Sequence, residues 1–465
     1  MRPTFALKTA ALAASILFTQ QAVASGYSFG TQAVTSQSTA NAAAAEASDA
    51  SVLFYNAAGL AELDSHQISG NLNLVMPTIK YSDAQAKHLR IGSAVQGSTS
   101  GKITENVLAP HLYGAYKLNE QITLGLGMYV PFGSSSEYKK DSVLRYNMNQ
   151  LGIKTIAIEP AVAFKINEQH AIGAGIVAQH TSAELRKFAD WGLGLPAVLG
   201  GPKPGGLDGY ADVKGDDWGF GYHLSYLFKG ENDRFRVGVN YRSKVEHNLK
   251  GDAQWKVANP TAANMAIYNA AIGKTVAAGG NGYIPKEDAS VKIITPESLS
   301  VHGMFRANDK INVFGDVTWT RHSRFNKAIL NFANEKNIGN GKKANTTTIT
   351  PNWRDTVKVS LGASYQLDEK WQLRGGMAFD QSPVRSAKDR LVSLPDGNRV
   401  WFSAGVKYTP NKNHVFDLAY THIHIQDTTT QTAAATGTDV DSKGASSAKF
   451  KNHANILGLQ YTYKF

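Results

Sequence analysis

His422 and His424 stand two apart in a run of alternating residues. That spacing puts both imidazoles on one face of a strand, where they could hold a metal ion. Two imidazoles without a nearby carboxylate or third histidine make a weak site, so no metal is expected. Ser, His and Asp all occur, yet neither a GxSxG nor an HExxH motif does. With no Cys, the chain also lacks a thiolate ligand, a thiol nucleophile and any disulfide. Neither an enzymatic activity nor a cofactor is expected.

The frame around these residues is set by composition. The chain has 465 residues, of which 18% are charged, with 43 Gly, 19 Tyr, 19 Phe and 7 Trp. Mean hydropathy is −0.27, and no run of about 20 apolar residues follows the N-terminus, so a helical membrane bundle is excluded. Residues 1–24 read as a secretory signal peptide: Arg2 and Lys8 precede an apolar stretch from Ala10 to Phe18, and Ala22-Val23-Ala24 offers a processing site. The net charge is +11, or +9 once Arg2 and Lys8 are removed, and an exported chain of that charge without a Lys/Arg-rich run is a poor match for nucleic acid. Its charge suits anionic lipid headgroups or an anionic ligand.

Residues 25–66 form a separate small element. Asn41 to Ala50 (NAAAAEASDA) suits a short helix, and Asn56-Ala57-Ala58-Gly59 suits a turn. From residue 67 to 465 the period becomes two. Val357, Val359, Leu361, Ala363, Tyr365 and Leu367 alternate with polar or small residues, and Leu457, Leu459, Tyr461, Tyr463 and Phe465 do the same up to the carboxyl terminus.

Fourteen strands are predicted, at about 68–79, 107–118, 121–131, 155–165, 170–185, 216–228, 235–250, 290–306, 310–322, 355–368, 370–381, 398–409, 414–426 and 454–465. Short turns such as Ile166 to Gln169 alternate with long polar loops such as Gly251 to Ala289. An even strand number with short turns at one end and long loops at the other is the layout of an outer-membrane β-barrel, its turns in the periplasm and its loops outside. Trp218, Phe220, Tyr222, Tyr226 and Phe228 share one parity, as do Phe235 and Tyr241, where aromatic girdles would sit. Glycines at the opposite parity (Gly173, Gly175, Gly219, Gly221, Gly362, Gly405) would make room inside.

Several stretches resemble one family in order along the chain. Asp216-Asp217-Trp218-Gly219-Phe220-Gly221-Tyr222, Tyr241-Arg242-Ser243-Lys244-Val245, Thr295-Pro296-Glu297-Ser298, Phe379-Asp380-Gln381-Ser382-Pro383-Val384 and Leu394-Pro395-Asp396-Gly397-Asn398-Arg399-Val400-Trp401 look like the FadL family of outer-membrane long-chain fatty-acid transporters. The resemblance implies an all-β, fourteen-stranded antiparallel barrel plugged by an N-terminal hatch. Asn56, Ala57, Ala58 and Gly59 are similar to the family's hatch motif, with Ala57 where the family has Pro.

It further implies energy-independent import of long-chain fatty acids, with sideways release through a wall gap at the third strand. Pro131, Phe132 and Gly133 interrupt that strand's alternation, and Pro has no N–H for the ladder. The segment Glu184 to Phe188 is similar to one that supplies a carboxylate-binding Arg, which points to Arg186. Parity argues back, since Ile172, Ala174 and Ile176 face lipid, and Lys187 is the alternative. Uptake of monoaromatic hydrocarbons, which need no cation, is the competing function. The expected partners are hydrophobic small molecules, outer-membrane lipid and lipopolysaccharide, and the outer-membrane assembly machinery, with the chain a monomer.

Overall fold

The computed structural model describes residues 30–195, 197–199 and 203–465; the expected signal peptide lies outside them. In chain order the strands are β1 (Gln67–His88), β2 (Gly101–Lys102), β3 (Val107–Lys117), β4 (Ile122–Tyr129), β5 (Gly133–Glu137), β6 (Met148–Lys165), β7 (His170–Asp190), β8 (Asp208–Lys229), β9 (Phe235–Arg242) and β10 (Val245–Val257). They continue with β11 (Lys286–Thr295), β12 (Ser298–Asn308), β13 (Ile311–Thr320), β14 (Ala328–Gly339), β15 (Lys342–Ile349), β16 (Thr356–Gln366), β17 (Trp371–Asp380), β18 (Arg399–Asn411), β19 (His414–Thr432) and β20 (Lys443–Lys464). Neighbours pair antiparallel, and β20 returns to β1 over a register from Gln67↔Lys464 to His88↔Lys443, closing a fourteen-stranded barrel. Closure leaves no sheet edge unpaired in lipid.

Period-two alternation gives the wall its two faces. Outward residues are apolar and exposed: Ile176 is 62% exposed, Phe220 70% and Leu459 57%. Inward neighbours such as Gln179, Ser360, Thr421 and Gln460 are buried and polar.

Three departures from the expected strands have local causes. The stretches at 235–250 and 290–306 are each broken, at Ser243-Lys244 and Pro296-Glu297, side by side. The pairing Arg242↔Ser298 gives way to Val245↔Thr295 across the break, where Pro296 has no N–H to donate. The residues between β13 and β16, read from sequence as a loop, hold the β14–β15 hairpin, which pairs with β11. Several strands also run longer than expected, β7 and β8 reaching 21 and 22 residues, about twice what a bilayer needs. Their upper halves pack with the long loops around a second apolar core that includes Trp191, Trp255, Tyr283, Phe332 and Trp353.

The chain from Gly30 to His66 lies within the barrel. It contains two single-turn helices, Val34–Gln37 and Val52–Tyr55, and two 3-10 turns, Ala43–Glu46 and Ala57–Glu62. The helix expected over Asn41 to Ala50 is thus one tight turn, bounded by left-handed Asn41 and Ala47. Its alanines are buried in the lumen, and contact with the wall overrides their helix propensity.

Candidate functional site

The N-terminal segment is fastened to inward side chains all round the wall. Arg374 pairs with Glu46 at 2.7 Å, and Lys229 with Glu62 at 2.7 Å. The Val34 N–H donates to Gln460 Oε1 (2.9 Å), and Gln37 Nε2 to the Ile456 carbonyl (3.1 Å). In the Asn56-Ala57-Ala58-Gly59 stretch, Asn56 Oδ1 accepts from the Ala58 N–H (3.0 Å) and caps the following 3-10 turn. Its Nδ2 donates to the Tyr226 carbonyl (3.0 Å) and lies 2.8 Å from His302 Nε2. A side-chain cap thereby orders the turn without a Pro at position 57.

Glycines let the segment come close. A methyl group at Gly173 would strike the backbone of Ala57 and Ala58, one at Gly362 would strike Thr39, and one at Gly405 would strike Ser38. Of the other glycines expected to make room, Gly175 faces Glu159, while Gly219 and Gly221 face Val245 and Ser243, not the segment. Gly125, Gly238, Gly376 and Gly458 also touch it; only the inward parity, read for every strand, would have found them.

Above the segment lies a cavity open to solvent, with about 1290 Å³ of space not filled by protein atoms when its solvent-filled mouth is included. Gly30, Asn41, Ala44, Phe54 and Tyr55 form its floor. One flank carries the apolar surfaces of Tyr129, Pro131, Phe132, Val177 and Val245, with the polar Gln179, Asn240, Arg242 and Ser243 among them. The opposite flank is polar, with Asp316, Thr318, His322, Lys358, Asp380 and Trp401.

Two cations line this cavity, and they differ. Arg242 is engaged on every side. It pairs with buried Glu159, bonds the Tyr129 hydroxyl, donates to the Phe54 carbonyl (2.9 Å) and stacks 4.4 Å from the Phe54 ring centroid. Lys358 has its ammonium 3.9 Å over the Trp401 ring and makes no ion pair with the described carboxylates. Asp380 and Asp316 attract it from beyond ion-pair distance and have nearer partners, Asp380 in Arg399 (3.6 Å) and Asp316 in Thr318 (2.7 Å). Lys358 falls at the polar parity of the alternation that begins at Val357, which puts it on the lumen face, but its role needed the cavity to be seen. Glu159 carried a readable signal, a carboxylate at inward parity in an apolar strand.

Pro131, Phe132 and Gly133 stand where the third wall strand breaks between β4 and β5. The β3–β4 ladder runs from Lys117↔Thr123 to Leu112↔Met128 and stops. Beyond the break β5 pairs with β6, from Gly133↔Lys154 to Glu137↔Gln150, and on its other edge, among the described residues, only the Glu137 N–H reaches a backbone carbonyl, that of Ile103 (2.9 Å). Four residue steps from Tyr129 to Gly133 oppose three from Ala157 to Lys154, so the break holds one extra residue, as in a β-bulge. The Val130 carbonyl accepts from Gln32 Nε2 (2.9 Å) of the N-terminal segment, and the Gln32 carbonyl accepts from the Tyr113 hydroxyl (3.1 Å).

Arg186 and Lys187 sit elsewhere. The β7–β8 ladder keeps its register from His170↔Phe228 to Asp190↔Asp208, so parity carries Arg186 to the outer face, beside Asp212. There it pairs with Asp212 and Glu137, each at 2.8 Å. Burial raises the Asp212 carboxyl, but hydrogen bonds from Lys256 and Arg186 outweigh it and leave it below the usual carboxylate range. Lys187 pairs with Asp441 at 2.8 Å. Burial likewise opposes ionisation of Asp441, and the Lys187 and Lys443 ammoniums reverse the effect. Neither Arg186 nor Lys187 lines the cavity.

The fold and cavity can be set beside known proteins. Residues 15–465 match the family described as outer membrane protein transport protein (OMPP1/FadL/TodX). The chain belongs to the FadL/TodX family. A putative outer membrane protein of Neisseria meningitidis serogroup B is 60% identical over the whole of both chains. A long-chain fatty acid transport protein of Escherichia coli is 24% identical over 80% of each chain. Among solved structures, a Pseudomonas aeruginosa FadL homologue superposes with a TM-score of 0.81 at 22% identity, covering 95% of this chain and all of that one. As a FadL/TodX member the protein is an outer-membrane channel for hydrophobic substrates.

Proposed function

We propose that this channel imports long-chain fatty acids by diffusion, receiving them from the long-loop side and releasing them sideways into the membrane at the third-strand break. In this reading the long loops face outward, the short turns and the N-terminus face the periplasm, and residues 30–66 act as the hatch. The observation that carries it is the two-sided cavity. A fatty-acid tail gains about 0.8 kcal/mol per buried CH₂ along the apolar flank, while its carboxylate cannot be buried bare and needs a cation. Lys358, held over Trp401, is the cation with an open side. The apolar flank ends on Pro131 and Phe132, so the tail points at the break.

Arg186 and Lys187 serve capture, where an incoming carboxylate exchanges with Asp212, Glu137 or Asp441. The name of the Escherichia coli relative agrees with the ligand class. The test is binding of a fatty acid and of its matching fatty alcohol to wild-type and Lys358→Met protein. Loss of a charge-assisted contact of about 1.5–3 kcal/mol weakens the acid roughly 10- to 150-fold and spares the alcohol. Equal affinity for both ligands in the wild type, with tighter binding of toluene, would favour the hydrocarbon reading.

A further inference from the structure

Above the lipid-facing band, the outer surface differs between the two sides of the barrel. Across β7 to β13 most of its charges are matched, His180 with Asp216 (3.1 Å), Lys244 and Lys292 with Glu246 (2.7 and 2.9 Å), and Arg324 with Glu297 (2.6 Å), and among the described residues the one exposed lysine of β10 without an ion pair, Lys250, stands across from Asp216. Across β19, β20, β1 and β2 they are not. Cross-strand register places His424 beside His453, Lys451 beside Lys80, and Lys80 beside Lys102, all facing out. Among the described residues, none of Lys80, Lys102, Lys451 and His424 pairs with a carboxylate. Lys449, one step higher, pairs with Asp83 at 3.0 Å.

Height gives this patch its meaning. Tyr463 and Tyr461 lie at the short-turn end of β20, followed outward by Leu459 and Leu457, with Leu72 and Leu74 beside them on β1. Each two-residue row climbs about 5 Å in a strand tilted about 40°. His453 therefore stands roughly 26 Å above Tyr463, at the top of an apolar band about 25 Å tall, and Lys451 stands one row higher. Asp216 has the same height on β8, counted from Phe228 at the turn end, so the matched and unmatched charges meet the same layer of the membrane.

We infer that Lys80, Lys102 and Lys451, flanked by His424 and His453, form a binding site for a phosphorylated glycolipid of the outer leaflet. Its phosphates lie on the lysines, and its acyl chains descend along Leu457, Leu459, Leu72 and Leu74. Three ammoniums without acids repel one another, and a phosphate, with several acceptor oxygens and up to two charges, relieves this where water-facing carboxylates do so on the opposite wall. The inference rests on the reading that the long loops face out of the cell. Labelling of Thr436→Cys in intact cells by a membrane-impermeant maleimide checks that point separately, so a wrong orientation and an empty site give different results.

The test uses the full-length protein in a mild detergent, titrated with lipid A carrying both phosphates, with the same lipid dephosphorylated, and with inorganic phosphate, read by native mass spectrometry. The wild type should bind the phosphorylated lipid at least tenfold tighter than the dephosphorylated one. The triple variant Lys80→Gln, Lys102→Gln, Lys451→Gln should lose that preference. The opposite-wall triple, Lys214→Gln, Lys244→Gln, Lys292→Gln, should keep it within twofold. Heat-modifiable migration and fatty-acid binding, unchanged in both triples, show that each barrel is folded. Equal behaviour of the two triples, no preference for the phosphorylated lipid, or displacement by inorganic phosphate at the lipid's own concentration overturns the site.

Discussion

The barrel wall is interrupted twice beside the same cavity, and the two interruptions have opposite outcomes. Between β3 and β5 the ladder ends at Leu112↔Met128, and the freed Val130 carbonyl turns inward to Gln32. Between β8 and the pair β9 and β10 it lapses from His223↔Arg242 to Asp216↔Lys250. That second seam also holds one extra residue, eight steps from Arg242 to Lys250 against seven from His223 to Asp216. There, however, side chains replace the lost bonds. Ser243 Oγ accepts from the Tyr222 N–H (2.8 Å), Asp217 accepts from the Asn248 N–H (2.7 Å), and Val245 fills the space over Gly219 and Gly221. A missing stretch of ladder does not by itself open a wall; what occupies the vacated space decides.

The strongest way to break this contrast is to close the first seam. Deleting Pro131 removes the extra residue and lets β4 run into β5 in register with β6 and β3. Fatty-acid uptake in cells should fall to background while equilibrium binding to the purified protein stays within about twofold, because the cavity's polar flank is untouched. Persisting uptake in a variant whose wall is shown by structure to be sealed would mean that release runs downward past the N-terminal segment.

Next in size is Arg242→Ala. It leaves Glu159 buried without its guanidinium and should cost about 3–5 kcal/mol, read as a lower temperature for the heat-modifiable gel shift. A smaller effect is expected of Val245→Ala. It empties the second seam at a cost of about 1–3 kcal/mol, and in the Pro131-deleted background it should restore part of the uptake. No recovery there would show that the seam is held by Ser243 and Asp217 rather than by the valine. The mildest change, Gln32→Ala, removes a hydrogen bond of about 0.5–1.5 kcal/mol and should raise the uptake rate a few-fold by freeing the Val130 carbonyl.

The second seam was the harder of the two to read from sequence. Pro131 announces itself because a proline ends alternation within a strand of Ile122, Leu124, Leu126 and Met128. Ser243-Lys244 carries no such mark, and the glycines opposite it look like those that accommodate the N-terminal segment. The strands themselves were legible wherever one face meets lipid, since the period of two is then enforced on every other residue. Above that layer the outer face meets water, the apolar parity ends, and the last five residues of β7, the upper parts of β8 and β20, and the β14–β15 hairpin escaped. For the candidate site, the third-strand break and the lumen side of Lys358 could be read. The neighbours that leave Lys358 open, and those that engage Arg186 and Lys187, could not, because they come from other strands and loops, 26 residues away for Asp212, 49 for Glu137 and 254 for Asp441.

The N-terminal segment is made first and can settle last. Val34 and Gln37 bond to Gln460 and Ile456, residues of the final strand, and Glu46 needs Arg374. Alone, its single helical turns and alanines bury too little to hold a shape. During assembly residues 30–66 must therefore wait until the ring of strands has shut around them. Newly inserted barrels should conduct ions like an open pore and then fall silent, and the lag between those two events times the docking of the segment.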